Sequence, residues 1–531
     1  MASHTIAEAT LPEARRRLQR TSLRLLVVSA LIVLVELIGG CAALPDSVQR
    51  PLSQAVIDER APLAQAAAAA MPATAAADQS GLRLIPDGDQ ALASRIALIR
   101  RAERSLDVQT YHLAADGTGA LFLSELRAAA ARGVRVRLLL DDLYAAGQDG
   151  LYAALAAHAN VDVRLFNPLP VRNASFGGRI ALSMHEFSRI NRRMHNKLFI
   201  ADGAFAIAGG RNLADEYYMR STQANFVDMD VLAAGPAVRE LAAVFDSYWN
   251  SEQAYPIEAL SAPVDAARFD ALNAVPADEP AFAALDRFGR DAIAGQLQRG
   301  TLQLHAARVQ VLADQPSKAA GAVTRTTHAA ASEVFAAAQS ELMIVSPYFV
   351  PGDAGMAMLR QVQERGVSVD VTTNSLGATD EPLVHAGYSK YRLAMLKMGV
   401  RLQELGATLS QQSSQLGDFR SSSGRLHAKL AVVDGQRLFI GSMNMDGRSD
   451  RHNTELGLVI HSRELAAEVA ELFRAGAQRA TYRLQLAEND RIEWLATEDG
   501  CDVTHTREPG RTAGLATRLT LLGSLISEDL L

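Results

Sequence analysis

Cysteine, aromatic residues and net positive charge are scarce in this 531-residue chain. Two cysteines, Cys41 and Cys501, cannot make a disulfide framework. Aromatics are 5% of the residues, and 53 basic against 59 acidic side chains leave a formal charge of -6. That balance gives no global attraction to a polyanion, which counts against a dedicated nucleic-acid binder without excluding a local basic site. What the chain does have is 48% hydrophobic residues over a length of about three domains, or two large halves with an appendage. It can bury a full core, so disorder throughout, a collagen-like fibre and a disulfide-dense mini-scaffold are all excluded.

The N-terminus carries a targeting pattern. Arg15, Arg16, Arg17, Arg20 and Arg24 precede an apolar run over residues 25–40, broken only by Glu36 and ending at Cys41. The run is short of the roughly 20 residues that span a bilayer comfortably, which fits a secretory h-region better than a membrane helix. Leu37-Ile38-Gly39-Gly40-Cys41 resembles a bacterial lipobox, in which the cysteine thiol carries the lipid. The expectation is a signal, lipoprotein-type or uncleaved anchor over residues 1–41, holding the protein at the bacterial inner membrane with its catalytic part on the periplasmic side. Residues 42–80, with an alanine run at 66–70 between Pro62 and Pro72, read as a tether.

From Gly81 onward strands alternate with helices, and they do so twice. Strand-like 105–113 and 134–142 flank a helical stretch, as 341–350 and 368–375 do later. Arg132-Gly133-Val134 and Arg365-Gly366-Val367 match at an offset of 233 residues, each glycine suiting a left-handed helix C-cap. An α/β fold duplicated in one chain follows, with halves at 81–255 and 301–531 and a connector or insertion at 256–300.

The chemistry recurs with the duplication. Residues 189–216 hold His195, Lys197, Asp202, Gly209 and Asn212, and residues 421–448 hold His427, Lys429, Asp434, Gly441 and Asn444 at identical spacings. On an extended strand His and Lys two apart share a face. Two such strands brought together would gather two imidazoles, two ammonium groups and two amides around one cavity, an electrophilic cradle for a phosphodiester. One imidazole can attack phosphorus while the other protonates the leaving alcohol. Nothing here requires a metal or cofactor, and reading the histidines as zinc ligands lacks carboxylate or thiolate partners at ligand spacing. A lone HxK on a strand is usually an accident of a solvated face; two copies with five matched positions, in a chain repeated on independent grounds, are not. The ten other histidines, His112, His185 and His452 among them, carry no such pattern and read as surface or core residues.

The twin HxKxxxxDxxxxxxGxxN motifs resemble those of the phospholipase D superfamily. More narrowly, NRRMHNK (191–197), GGRN (209–212), NFVDMDV (225–231), SPYFVP (346–351), NSLGATDEPLVHAGYSKYR (374–392), NTELGLVI (453–460) and the closing EDLL (528–531) resemble the bacterial cardiolipin synthase C type. The resemblance implies a duplicated phospholipase D fold, two sheet-and-helix halves sharing one site at their interface, and phosphatidyl transfer through a phosphohistidine. It implies His195 as nucleophile, His427 as general acid and then base, and Lys197, Lys429, Asn212 and Asn444 as phosphate ligands; sequence symmetry alone does not distinguish the two histidines. Asp202 and Asp434 belong to the catalytic motif but, four residues beyond lysine on the same strand, read as structural. An acid is needed at the second nitrogen of each imidazole. In the family such acids come from the opposite half, so Glu455 is paired with His195 and Asp228 with His427, Asp230 being the competitor of Asp228. The first copy lacks the serine of Gly441-Ser442, carrying Gly210 and Arg211 instead, so a hydroxyl contact to phosphate is expected from one half only.

The acceptor decides the reaction: a phosphatidylglycerol hydroxyl gives cardiolipin, whereas water gives a phospholipase D-type hydrolysis of phospholipid or, less in keeping with the composition, of nucleic acid. Expected partners are phosphatidylglycerol, phosphatidylethanolamine and the membrane, with no nucleic acid. Residues 374–392 are the place to look for acceptor selectivity, against the plainer reading of a loop and helix that only pack.

Overall fold

The computed structural model describes residues 43–531 except 277–278, 280–281, 413–415, 420, 513, 516–518, 520–527 and 531. The candidate anchor 1–41, Cys41 included, lies outside the described residues. Among the described residues no helix is long and apolar enough to cross a membrane. This corrects the expected location, a body anchored at the inner membrane with its catalytic part on the periplasmic side. The longest described helix, Arg463–Ala480, shows why: one face is buried through Leu465, Val469 and Phe473 and the other is charged, the amphipathic pattern of a helix lying on a sheet.

Each half is built on the same eight-strand order. In the first, Ala254–Pro256, Val161–Phe166, Arg135–Asp141, Ser105–Thr110, Leu198–Ala201, Phe205–Gly209, Asp230–Ala234 and Ser80–Ile85 are successive neighbours. In the second, the order is Thr481–Leu486, Arg401–Leu405, Ser368–Asn374, Glu341–Val345, Leu430–Val433, Arg437–Gly441, Leu456–His461 and His305–Ala313. Three adjacent strands in each half run parallel, and the strand interiors are buried apolar runs such as Val136 and Leu138–Leu140, as sheets covered on both faces require. Their crossover helices include Gly117–Ala131 and Gly352–Glu364, and the glycines that follow, Gly133 (φ 95°) and Gly366 (φ 80°), are left-handed. The first and third expected strands stop early, at Thr110 and Val345.

Ser80–Ile85 pairs antiparallel with His305–Ala313, Gly81 opposite Ala306, so the two sheets fuse edge to edge. A single apolar cluster crosses the junction, with Leu82, Ala208 and Phe245 from one half against Leu438, Leu458 and Leu465 from the other.

Residues 43–80 are not a free spacer. Pro62–Ala70 is a helix burying Leu63, Ala67 and Ala70. The preceding stretch is tied down by Arg50 Nε to Ala254 O (3.0 Å) and Arg164 Nη2 to Pro51 O (2.6 Å). A run of alanine shows no hydrophobic periodicity because every position is apolar, yet alanine is the best helix former and lets a helix approach closely. The expected connector 256–300 likewise packs on the first half, through buried Ile257, Phe269, Ile293 and Leu297 and a buried Arg83–Asp286 ion pair at 3.1 Å. A last hairpin, Ile492–Glu498 with Cys501–His505, extends the second sheet; Cys501 is exposed and free.

Candidate active site

Each HxK segment is the extended stretch leading into the first strand of an antiparallel trio, Leu198–Ala201 or Leu430–Val433. What gathers the two is a pair of strand contacts that cross between the halves. Ser423–Leu426 runs parallel to Ala224–Val227, Leu426 opposite Val227. Met194 pairs in parallel with Thr454 in the corresponding position. These registers put the next residues, His427 and Asp228, and His195 and Glu455, side by side. The backbone closes them further: His427 N donates to Val227 O (2.8 Å) and His195 N to Thr454 O (2.9 Å).

The side chains follow. His195 Nδ1 lies 3.0 Å from Glu455 Oε2, and His427 Nδ1 lies 2.7 Å from Asp228 Oδ2, all four residues being buried. Asp230, the competing acid, instead pairs with Arg95 at 2.9 Å and Arg211 at 3.3 Å. With Nδ1 committed to a carboxylate, the imidazole tautomer is fixed and Nε2 is left for chemistry. Lys197 and Lys429 fold back to donate to the carbonyls of His195 (2.7 Å) and His427 (2.5 Å), so each ammonium sits beside its histidine. Asn212 Nδ2 donates to the Tyr217 hydroxyl (2.8 Å), which is 3.5 Å from His427 Nε2. Asn212 Oδ1 and Asn444 Oδ1 are both buried without a hydrogen-bond partner. Orphaned polar atoms of this kind are what a pocket built for a hydrogen-bonding ligand offers before the ligand arrives.

The electrostatics are those of a site short of one anion. Burial pushes His195 down to about 4 against the upward pull of Glu455, with Lys197 adding to the fall. Burial, then Lys429 and Lys197, holds His427 well below the usual imidazole range. Burial also lowers Lys429 to about 8, opposed by Asp228, and takes Lys197 well below the usual range. An incoming phosphodiester anion would favour the charged form of all four groups.

Asp202 and Asp434, though part of the catalytic motif in sequence, stand apart from this group. Both have left-handed backbone (φ 52° and 55°) beyond the far end of the motif strand. Asp202 accepts from the amides of Glu103, Arg104 and Ser105, and Asp434 from those of Gln339, Ser340 and Glu341. Each caps the turn that starts a parallel strand. The hydroxyl contact expected from Ser442 is also corrected: its Oγ donates to Glu455 Oε2 (2.5 Å), joined there by Ser449 Oγ on Oε1 (2.9 Å). In the first half the equivalent space is taken by Asp228 itself, since a Cβ on Gly210 would sit 2.2 Å from Asp228 Oδ1.

Several contacts escaped the sequence. Tyr111 lies edge-on to His195 (centroids 4.9 Å apart), while Tyr217 and Phe226 stand at 4.9 and 5.0 Å from the ring of His427. Lys197 is over the Tyr111 ring and Lys429 over that of Tyr348. Tyr111 and Tyr348 each follow the first parallel strand of their half, so aligning the repeats was the signal that could have found them. In 374–392, Asn374 brackets Leu426 by donating to its O (2.9 Å) and accepting from its N (2.8 Å), and Asp380 accepts from Tyr348 OH (2.8 Å). His112 borders the group, tilted against Tyr144 and lowered to about 4 by burial; His185 is at the surface beside Glu186. Among the described residues no group of three His, Cys, Asp or Glu is arranged to hold a metal ion.

A family model described as cardiolipin synthase, PLD-like domain, matches residues 96–249 and 332–476. The chain is 37% identical over 439 residues to cardiolipin synthase C of Escherichia coli (strain K12), covering 81% of this chain and 92% of that protein. It is 27% identical to cardiolipin synthase A of Pseudomonas syringae pv. syringae, over 82% of this chain and 76% of the relative. Among solved structures, phosphatidylserine synthase of Haemophilus influenzae superimposes with a TM-score of 0.52 at 14% identity, covering 76% of this chain and 87% of that one.

Proposed function

The chain belongs to the cardiolipin synthase, PLD-like domain family, and from that premise we propose that it is a phosphatidyltransferase of cardiolipin-synthase type, moving a phosphatidyl group between phospholipids through a phosphohistidine. The observation that supports this most is the pair of His–carboxylate contacts, each made by residues of opposite halves. In this reading His195 Nε2 attacks phosphorus and the P–O bond to the leaving alcohol breaks, with His427 Nε2 delivering the proton to that oxygen. His427 then takes the proton of an acceptor hydroxyl, whose oxygen displaces His195 and regenerates the free imidazole. The low affinity of buried His195 for protons keeps its lone pair available, and the bound phosphodiester anion opposes the burial and the lysine charge that hold His427 below the usual imidazole range. Lys197, Lys429, Asn212 and Asn444 hold the non-bridging oxygens and the charge that grows on them.

Charge neutralisation by lysine makes the proposed reaction metal-independent. The donor is phosphatidylethanolamine or phosphatidylglycerol and the acceptor the hydroxyl of phosphatidylglycerol. Purified protein in mixed vesicles of the two lipids is expected to yield cardiolipin by mass spectrometry, with no loss of rate in excess EDTA. Phosphatidic acid as sole product would make it a hydrolase, and inactivation by chelator would refute the metal-free step.

A further inference from the structure

One surface next to the site has its polarity reversed. Residues 172–192 form a short-helix rim, Phe176–Leu182 then Met184–Glu186 and Phe187–Ile190. A segment lying on a protein normally buries its apolar side chains and leaves arginine in water. Here Arg179 is 1% exposed, its Nη2 donating to Asp142 Oδ2 (2.5 Å) and its Nε to Val171 O (3.1 Å). Phe176, Met184 and Phe187 are instead 44%, 47% and 41% exposed. The patch is continuous with the chemistry: Phe176 stacks on Tyr144 (5.7 Å, 9°), Tyr144 meets Tyr111 edge-on (5.4 Å), and Tyr111 meets His195. Across the rim, the Arg192 guanidinium lies against Gly321, and Val323, two residues on, is fully exposed.

We propose that this rim is a bilayer-docking surface: Phe176, Met184, Phe187 and Val323 enter the acyl region of a phospholipid membrane while Arg192 meets anionic headgroups. The proposal rests on the phospholipid reading of the site. Its physical content is that the buried Arg179–Asp142 pair holds the segment polar side down, so the apolar side stays presented with little reorganisation. A phosphodiester drawn from the bilayer then meets an aromatic path that ends at His195. Exposed apolar side chains beside cationic ones are the composition of interfacial binding elements, and a phenylalanine moved from water into hydrocarbon strengthens binding by about tenfold or more.

The test uses the full chain and vesicles of equimolar phosphatidylglycerol and phosphatidylcholine brominated on its acyl chains. The two native tryptophans, Trp249 and Trp494, are buried, so Phe187→Trp adds an exposed reporter. Ile57→Trp is the control: Ile57 is exposed beside Gly203, at the end of the motif strand far from the histidine. Bromine quenching and a blue shift of Phe187→Trp, with Ile57→Trp unchanged, are expected, and they do not depend on what any other part of the chain does at the membrane. No quenching, quenching of both reporters alike, or a blue shift that follows protein concentration without vesicles (a second copy on the patch) would overturn the proposal. Met184→Ser/Phe187→Ser should lower turnover of vesicle lipid at least about tenfold while a dispersed short-chain phospholipid is processed as by the parent. Equal loss on both substrates would also overturn it. Absence of lipid turnover by the parent, with the quenching intact, would sink the phosphatidyltransferase reading and leave the docking surface standing.

Discussion

At the scale of single residues the site is nearly symmetric, and its small asymmetries separate the two histidines. Glu455 is steadied by two hydroxyls, Ser442 and Ser449, whereas His427 has the Tyr217 hydroxyl near Nε2. In the proposed reaction a firmly held carboxylate suits the imidazole that carries positive charge as a phosphoramidate. His195→Ala is therefore expected to form no covalent intermediate, while His427→Ala accumulates a radiolabelled phosphoenzyme with a donor whose leaving group needs no proton. The reverse result exchanges the roles. The pH dependence follows from the same groups. In the proposed reaction His195 acts neutral, so kcat/KM should rise with pH through about 4; the alkaline limb falls first as His427, held below the usual imidazole range, loses the proton it must deliver, and again as Lys429 discharges near about 8. Glu455 raises the His195 pKa, so Glu455→Gln should move the acid limb to lower pH as well as slow the reaction. An acid limb that does not move would separate it from His195.

At the scale of elements, the decisive features are two short parallel strand contacts between halves, 423–426 with 224–227 and Met194 with Thr454. They are too short to be read as strand pairs in sequence, and their register, not their length, is what aligns each histidine with its acid. Gly210 belongs to the same arrangement. Because a Cβ there would meet the Asp228 carboxylate at 2.2 Å, Gly210→Ala should push Asp228 off His427 and lower kcat about a hundredfold with a nearly unchanged Tm. Wild-type kcat in that variant would show the carboxylate to be dispensable or mobile. The alanine-rich helix Pro62–Ala70 makes the contrasting case, a segment whose contribution is packing alone. Ala67→Asp would bury a carboxylate without a partner, and a loss of about 2–4 kcal/mol, read as a fall in Tm or in the denaturant midpoint, is expected. An unchanged midpoint would mean that this helix does not pack on the body in solution.

At the scale of the whole molecule, two half-sheets fused along Ser80–Ile85 and His305–Ala313 form one scaffold around one centre. The repeated HxK, Asp, Gly and Asn spacings, the paired RGV segments and the alternation of apolar strands with helices were legible in the chain, because covalent order and periodicity are local properties. The identity of the acids came from resemblance, since residues that meet across an interface leave no spacing of their own. Asp202 and Asp434 share a motif with the histidines but lie at the other end of a strand, bonded to amides. Two readings failed for physical reasons visible only in the fold. Ser442 serves a carboxylate rather than the open pocket. Polyalanine without periodicity turned out to be a packed helix. The sequence by itself determined the duplication, the chemical inventory and the helices and strands that carry it. Which acid meets which imidazole, which motif residues stand clear of the cavity and which phenylalanines face water emerge only in the fold, because each depends on contacts between segments distant in sequence, from 37 residues for Arg179 and Asp142 to 260 for His195 and Glu455.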